Sequence, residues 1–316
     1  MRGAFIRSLL ALAERDPRVW LLTGDLGFSV LEPFATRFPE RFVNVGVAEQ
    51  NMIGVAAGLA HSGKQVFVYS IANFPTLRCL EQIRNDVCYH GLPVRVVSVG
   101  GGLSYGAAGY THHGVEDLAV LRALPGLAVL APGDPRETEL LTQALGELPG
   151  PAYLRLGKAG EPGVHGELAN LTLGRALSVR SGDDLTLIAT GGMLHATVQA
   201  ADELVKTDGL SVRVLSMHTL KPFDEAAVRA AATETRAIVS VEEHSCIGGL
   251  GSAVADVVAQ MSAPRACFSK FALPDRHLES IGSQRYLLSE LGSIADHVRR
   301  VLSLRGALAL PHAEGF

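Results

Sequence analysis

Apolar positions along the chain follow two periods in alternation, and this order predicts strands that alternate with helices. The first segment is predicted to be an amphipathic helix, because its apolar run at 9–12 is interrupted by the charges of residues 14–16. Short apolar runs then predict buried strands at residues 19–22, 65–70, 93–99, 127–130, 151–156, 185–189, 212–217 and 237–241. Strands separated by helices form parallel sheets, so we predict an α/β protein with two parallel-sheet domains.

The stretch 42–63 predicts a helix of unusual composition. A strand pattern at 42–47 changes into a helical one, and residues 52–60 are almost all apolar or small. Such a helix is predicted to be buried on all sides. Glu49 lies at its first turn, and its carboxylate has two explanations that fit the spacing. It is either a helix-start acid favoured by the helix dipole or a buried group that shares a proton with a ligand nitrogen.

Length and composition indicate two folded domains. The chain has 316 residues, of which 47% are apolar and 19% charged, so it can bury a large core and is not disordered. A Gly/Pro-rich connector follows residue 157. We therefore place the first domain at 1–160, a linker at 161–173 and the second domain at 174–316.

Charge and cysteine usage exclude several classes of partner. The net charge of −4, without a block of like charges, predicts neither a nucleic-acid surface nor a basic face that binds membranes. No apolar run is long enough to span a bilayer, so no membrane partner is expected. The four cysteines lack metal-binding spacing, which favours reduced thiols in a cytoplasmic protein.

A glycine-rich loop follows the strand predicted at 93–99. It contains six glycines from Gly100 to Gly114 and ends in the sequence Thr-His-His-Gly. Such a loop suits a close approach of backbone to a ligand. It lacks the G-x-x-x-x-G-K-[ST] pattern of a nucleotide-binding P-loop.

Four segments resemble the transketolase family of thiamine diphosphate enzymes. They are VGVAEQNMIGVAAGLA around Glu49, T-H-x-x-x-E-D-L at 111–118, R-A-L-P-G-L at 122–127 and E-E-H-S-C-I-G-G-L-G at 242–251. The resemblance covers almost the whole chain. It implies a pyrimidine-binding domain followed by a transketolase C-terminal domain, in which Glu242 and His244 are structural or lie near the site rather than being catalytic.

The resemblance also implies a cofactor pocket. In the family, the glutamate at the position of Glu49 hydrogen-bonds a ring nitrogen of the cofactor's aminopyrimidine, which makes it a catalytic residue. Phe74 is expected to stack on that ring, with Tyr69 as a second candidate. Ile71 stands where many members carry an aromatic residue, and Arg78 completes the predicted cofactor-binding set.

Further residues are expected to contact the substrate. The histidine at the position of His112 points at the reacting carbons in the family, and a catalytic imidazole there can donate to the substrate oxygen or shuttle a proton. His113 is included as a second candidate. Arg155 and Lys158 are expected to hold a substrate phosphate, for which arginine offers a bidentate clamp.

Two departures from the family pattern leave the substrate open. Ala107 and Ala108 stand where sugar-phosphate transketolases carry acidic and polar residues, and the glycines 100–102 replace a histidine. Lost partners for sugar hydroxyls change specificity strongly. The resemblance therefore predicts neither the sugar nor whether it is phosphorylated.

The family's diphosphate site is missing from this sequence. Its G-D-G signature does not occur, and no arrangement of oxygen ligands for a hard cation is recognisable, so we predict no metal ligand in this chain. We expect a separate N-terminal subunit to bind the diphosphate and Mg²⁺ or Ca²⁺. Two copies of each subunit would form an α2β2 heterotetramer.

The leading prediction is a subunit of a transketolase-like transferase that moves a two-carbon ketol unit from a ketose to an aldehyde. The first alternative is the beta subunit of a 2-oxoacid dehydrogenase, against which the Thr-His-His-Gly-Val-Glu-Asp and Glu-Glu-His-Ser segments stand. A pyruvate-using synthase of the deoxyxylulose phosphate synthase type is the second alternative. A non-catalytic assembly subunit is the third, and the presence of Glu49 and His112 argues against it.

Overall fold

Two sheets flanked by helices make up the structure, which is a computed structural model that describes residues 1–263 and 265–306. The end of the predicted second domain, 307–316, lies outside the described residues. None of the helices in the described ranges is long and apolar enough to cross a membrane.

Strands and helices alternate along most of the chain. The strands are β1 (Val19–Thr23), β2 (Phe42–Asn44), β3 (Gln65–Ile71), β4 (Val94–Val99), β5 (Ala128–Leu130), β6 (Ala152–Leu156), β7 (Leu177–Arg180), β8 (Leu185–Ala189), β9 (Val212–Ser216), β10 (Thr219–Lys221), β11 (Ala237–Ser245) and β12 (Cys267–Leu273). The α-helices are α1 (Arg2–Arg15), α2 (Glu32–Arg37), α3 (Glu49–His61), α4 (Leu80–Gln82), α5 (Asp117–Arg122), α6 (Pro135–Glu147), α7 (Leu194–Asp208), α8 (Glu225–Glu234), α9 (Leu250–Ala259), α10 (Gln284–Ser289) and α11 (Ile294–Gly306).

The predicted pair of α/β domains is confirmed. Within the described chain, the first sheet has seven strands in the order β10-β5-β6-β4-β3-β1-β2, and the second has five in the order β12-β11-β8-β9-β7. Each sheet is parallel except for one edge strand, since β10 pairs antiparallel with β5 and β7 pairs antiparallel with β9. The sequence did not predict that β10, from the second half, joins the first sheet. Three residues are too few to show a period, so pairing alone defines this strand.

Helix α3 is buried on one face and open on the other. Met52, Ile53 and Ala56 are fully buried, whereas Gly54 and Gly58 are exposed and a Cβ on either would meet nothing within 4 Å. The prediction that this helix is buried on all sides is therefore wrong for the isolated chain. The pattern looked apolar all round because glycine adds no polar group, but glycine also adds no side chain to bury.

A buried arginine joins the two domains. Arg155 lies in β6 with its side chain 4% exposed, and its Nε donates to Asp117 Oδ2 at 2.9 Å. Its Nη2 donates to the backbone oxygens of Gly114 and Glu243, and the Tyr153 hydroxyl donates to the same Asp117 oxygen. A buried charge is costly unless it is paired and hydrogen-bonded. This network therefore ties α5, the loop before it and β11 to β6.

Two more titratable side chains are buried in β11. The carboxylate of Glu242 accepts hydrogen bonds from the backbone N–H groups of Leu250 and Gly251, both at 2.7 Å, where α9 begins. Burial raises the pKa of Glu242 to about 7 and lowers the pKa of His244 to about 4. Both are fully buried, in agreement with the structural role that the sequence favours.

Replacement of Asp117 by asparagine is expected to destabilise the protein by about 3–5 kcal/mol, because Arg155 then keeps a buried charge without a counter-ion. Chemical denaturation at neutral pH measures this difference in the free energy of unfolding. The matched control is Asp202→Asn, because Asp202 is 64% exposed and pairs with Arg180 at the surface. We expect the control to change stability by less than about 1 kcal/mol. Equal losses in the two variants would contradict the assignment.

Glu242 is expected to make stability depend on pH. Its pKa is about 7 in the folded protein against 4.5 for a free glutamate, so the folded state binds the proton more tightly. The resulting stabilisation is complete below pH 4.5 and is lost as the pH rises through 7. The stability advantage of wild type over Glu242→Gln should thus fall by about 2–4 kcal/mol across this window. Denaturation curves at several pH values test this, and parallel pH profiles would disprove it.

Candidate active site

Glu49 occupies the first position of α3, where the chain turns after β2. Its side chain is 2% exposed, and its Oε2 accepts a hydrogen bond from Arg78 Nη1 at 2.7 Å. Oε1 makes no hydrogen bond to any described residue. Gly24, directly after β1, lies beside this oxygen, because a Cβ there would be 3.6 Å from Oε1. A buried carboxylate with one free oxygen can bind a ligand nitrogen.

A continuous line of contacts runs from Glu49 to His112. The Arg78 guanidinium carbon lies 4.8 Å from the ring centroid of Phe74. The Phe74 and His112 rings meet edge to face, with centroids 5.3 Å apart. The structure therefore brings together four residues that the resemblance assigned to cofactor and substrate. Phe74 and His112 are both half-buried, so each keeps surface for a ligand.

The glycines 100–102 make room for three side chains from elsewhere. A Cβ on Gly100 would lie 2.1 Å from the Tyr105 ring, and one on Gly101 would lie 2.5 Å from Arg155. A Cβ on Gly102 would lie 2.3 Å from the Glu243 carboxyl carbon. Gly100 and Gly102 also have positive φ angles, 78° and 71°, which favour glycine. The departure from the family pattern therefore has a steric cause in this chain.

His113 is placed differently from His112. Its side chain is 1% exposed, and neither ring nitrogen makes a hydrogen bond of normal geometry to a described residue. Burial lowers the pKa of His113, so the imidazole is neutral near pH 7. Its ring lies 6.2 Å from that of Tyr110 rather than against Phe74. In the isolated chain, His113 is therefore a buried residue, and its contact with substrate stays a prediction.

Tyr69 and Ile71 both contact the apolar core of the first domain. Tyr69 is fully buried in β3 and stacks on Phe5 of α1, with ring centroids 6.0 Å apart. Ile71 follows two residues later on the same face of the strand and packs against the same apolar cluster. Both residues therefore pack within the isolated chain, and their part in cofactor binding stays a prediction. Their position in the strand could be read from the pattern, but not the face that the cofactor would occupy.

Arg155 and Lys158 have separate roles in the structure. The Nε and Nη2 atoms of Arg155 bind the protein itself, so the predicted phosphate clamp is not available at those two nitrogens. Lys158 is exposed, and its ammonium lies 4.7 Å from the ring centroid of Tyr105. The Tyr105 ring is in turn 6.4 Å from that of His112. Lys158 therefore remains available to an anion, beyond His112 in the line that starts at Glu49.

A cavity of about 540 Å³ lies between this lysine and the glycine-rich loop. Its lining includes Tyr105, Ala107, Ala108 and Lys158, together with residues 282–284 of the second domain. The two alanines offer no side-chain hydrogen bond there, in line with the departure seen in the sequence. A volume of this size suits a small ligand.

A larger cavity, of about 810 Å³, lies between the domains. Arg155, Glu243 and Gln284 line it, whereas Glu49, Phe74 and His112 do not. Glu49, Phe74 and His112 do not line the 540 Å³ cavity either, so neither cavity alone marks the place of the predicted chemistry.

Two contacts around the loop were missed by the sequence interpretation. The side-chain amide of Asn73 donates to the backbone oxygen of His113 and, at 3.4 Å, to that of Thr111, which links the Phe74 loop to the histidine loop. Tyr105 lies between His112 and Lys158. Its position after three glycines was the available signal, since an aromatic side chain can fill the space that glycines leave.

One cluster of two carboxylates and a histidine has the composition of a metal site, but hydrogen bonds within the protein occupy its polar atoms. Carboxylate and ring atoms of Asp134, Glu137 and His165 lie within 4.8 Å of one another. The two oxygens of Asp134 accept backbone N–H groups, and Glu137 binds the Gly133 N–H and the His165 ring. The carboxylate of Glu137 raises the pKa of His165. This cluster fixes the linker to α6.

Comparisons with known proteins assign the chain. Residues 1–160 match the family described as transketolase, pyrimidine binding domain, and residues 174–298 match transketolase, C-terminal domain. The chain is 42% identical to an apulose-4-phosphate transketolase subunit of Phocaeicola vulgatus, over 83% of this chain and 85% of that protein. It is 38% identical to the 6-deoxy-6-sulfo-D-fructose transketolase subunit SqwH of Clostridium sp. strain MSTE9, over 89% and 90%.

Longer proteins and a solved structure give the same assignment. The 1-deoxy-D-xylulose-5-phosphate synthase of Desulforudis audaxviator is 35% identical over 94% of this chain but only 46% of its own length. A solved structure described as a split gene transketolase, inactive beta4 tetramer, superposes with a TM-score of 0.87 and 37% identity, over 96% of this chain and 98% of that one. The protein belongs to the transketolase family.

Proposed function

We propose that this chain is the C-terminal subunit of a split transketolase that depends on thiamine diphosphate. With its partner it transfers a two-carbon ketol unit from a ketose to an aldehyde. The observation that carries this proposal is the line of contacts from the buried Glu49 carboxylate through Arg78 and Phe74 to His112.

The residues at one end of this line fit the aminopyrimidine of the cofactor. Glu49 Oε1 is free of hydrogen bonds to the described residues, Gly24 lies beside it, and the half-buried Phe74 ring offers a flat apolar surface. Glu49 would hold a proton towards a ring nitrogen, and Phe74 would stack on the ring. When bound, thiamine diphosphate supplies the chemistry that breaks a carbon–carbon bond next to a carbonyl.

His112 is the residue proposed to contact the reacting oxygen. Its Nδ1 is 3.0 Å from the Thr111 hydroxyl, so Nε2 is left to donate to or accept from substrate. Contact with the edge of Phe74 holds the imidazole beside the proposed cofactor position. This geometry fits proton transfer at the substrate hydroxyl or carbonyl.

We propose a ketose with an anionic group at its far end as the substrate class. The names of two relatives each include such a group, a phosphate in one and a sulfo group in the other. Lys158 is exposed next to the 540 Å³ cavity and offers a single ammonium to that group. Ala107 and Ala108 would leave the middle of the sugar with few hydrogen-bond partners.

The proposed partner is a separate subunit that binds the diphosphate and Mg²⁺ or Ca²⁺, in an α2β2 heterotetramer. The solved relative that consists of beta subunits only is described as inactive, which supports a need for a partner. The open face of α3 and Val47, which is 75% exposed and two residues before Glu49, offer an apolar surface to a partner, and Phe28 is 73% exposed. We place the protein in the cytoplasm, because its four cysteines are free thiols.

A second candidate is a synthase that joins pyruvate to an aldehyde, favoured by the 35% identity to the Desulforudis audaxviator protein. The beta subunit of a 2-oxoacid dehydrogenase remains a third. Three donor and acceptor pairs distinguish them in the reconstituted complex. Release of CO2 from pyruvate in the presence of an aldehyde acceptor supports the synthase. Transfer of an acyl unit from a 2-oxoacid to lipoamide supports the dehydrogenase. Transfer of a ketol unit from a ketose to an aldehyde, without release of CO2, supports our proposal.

Glu49→Gln is expected to lower kcat of the complex by about 10²–10⁴-fold, because the amide cannot exchange a proton with the ring nitrogen. Initial rates of ketol transfer measure this, with circular dichroism as the check of folding. The matched control is Glu81→Gln, an exposed glutamate in α4, which should keep the wild-type rate. Unchanged turnover in Glu49→Gln would revive the non-catalytic assembly subunit.

The effect of Lys158→Met on kcat/KM is expected to depend on the charge of the substrate. We predict a fall in kcat/KM of about 10–100-fold for a phosphorylated ketose and little change for the same ketose without phosphate, since one charge-assisted contact is lost. Steady-state kinetics with both sugars measure the difference. Lys64→Met, remote in sequence and packed over Trp20, is the control. A similar loss for both sugars would show that Lys158 does not bind the anion.

A further inference from the structure

We propose that Glu243, in the second domain, is a positioning residue for His112 in the first domain. It would hold the loop 100–114, which carries His112, in the geometry needed for transfer. This inference rests on the function proposed above, and it assigns the C-terminal domain a direct part in arranging the active site.

The Glu243 carboxylate is committed to this loop. Its side chain is 3% exposed at the end of β11, and Oε1 accepts a hydrogen bond from the backbone N–H of Leu103 at 2.8 Å. The side-chain amide of Gln284 donates to both carboxylate oxygens at 2.9 Å, which fixes their orientation. Gly102 allows this close approach, because a Cβ there would collide with the carboxyl group. A hydrogen bond from N–H to a buried carboxylate is stronger than one between neutral groups.

The loop transmits this contact to the histidines. Gly102 and Gly114 form an antiparallel bridge, with N–H to oxygen distances of 2.8 and 2.9 Å in the two directions. Gly114 follows His112 by two residues, so the two arms of the loop cannot move independently at its base. Arg155 donates to the Gly114 oxygen and to the backbone oxygen of Glu243, which closes the connection to the second domain.

Apolar contacts support the same base. Leu103 and Val115, one on each arm of the loop, pack with Leu273 and Leu287 of the second domain in one cluster. The backbone N–H of Ser245 also donates to the Val115 oxygen at 2.8 Å. The second domain therefore holds both arms, and His112 lies only two residues from this fixed base. A displacement of about 1 Å at a reacting group can cost about 10²-fold in rate, so a loosened base should lower turnover.

The neighbouring Glu242 offers a matched control. It is equally buried, and its carboxylate also accepts backbone N–H groups, from Leu250 and Gly251. Those groups lie within the second domain, so loss of this carboxylate removes a comparable buried acceptor without touching the loop.

The test compares Glu243→Ala and Glu242→Ala in the complex reconstituted with the diphosphate-binding subunit. We expect Glu243→Ala to lower kcat at least tenfold with little change in the KM of the cofactor, and Glu242→Ala to stay within about threefold of wild type. Glu243→Gln, which keeps an acceptor for the Leu103 N–H, should restore most of kcat. If Glu243→Ala does not fold, Gln284→Ala removes the support of the carboxylate and should lower kcat in the same direction.

Hydrogen exchange provides a readout that does not depend on activity. The amides of Leu103 and Gly114 should exchange at least tenfold faster in Glu243→Ala than in wild type or Glu242→Ala. Equal loss of kcat in the two alanine variants, or unchanged exchange at Leu103, would overturn the inference. The proposed function would instead be refuted if the wild-type complex transferred no ketol unit, even with the expected exchange rates at the Leu103 and Gly114 amides.

Discussion

The buried guanidinium of Arg155 is the interaction on which the arrangement of the two domains depends. It binds Asp117 at the start of α5, the Gly114 oxygen at the base of the histidine loop and the Glu243 oxygen of β11. A charge without solvent must satisfy its donors within the protein, so the groups around Arg155 have little freedom to move apart. One side chain thus links the second domain, the histidine loop and the first sheet, and the contacts of Glu243 and strand β10 add to this link.

The glycine-rich loop follows from the same constraint. Backbone can approach Arg155, Glu243 and Tyr105 closely only where no Cβ intervenes, and residues 100–102 supply three such positions in a row. In this chain the glycines serve contacts within the protein, whereas Phe74, His112 and Lys158 keep part of their surface open. A loop built for close packing therefore carries His112, the histidine proposed to contact the substrate.

Much of this could be predicted from the sequence where local pattern and motif agree. The alternation of strands and helices predicted the two sheets, and the segments around Glu49 and His112 placed these residues near each other. The packing of Tyr69 and Ile71 against the core and the hydrogen bonds of Arg155 within the protein were not predicted, for a common reason. Periodicity locates a residue within a strand, but the face that a ligand occupies depends on the packing of α1 and the second domain. Strand β10 escaped prediction because its pairing partner, β5, lies almost ninety residues earlier.

Because of strand β10, the boundary in the sequence does not coincide with the boundary of the first sheet. The connector at 161–173 separates two halves of the sequence, but the hydrogen-bonded ladder of the first sheet is completed by Thr219 and Lys221. In a fragment cut at the connector, β5 would keep β6 on one side but would lose β10 on the other. It would then be an unpaired edge strand, which is a template for aggregation. The first half of the sequence is therefore not a structurally complete domain without strand β10. Dissection or transplantation of the first half should carry the segment up to residue 221 with it.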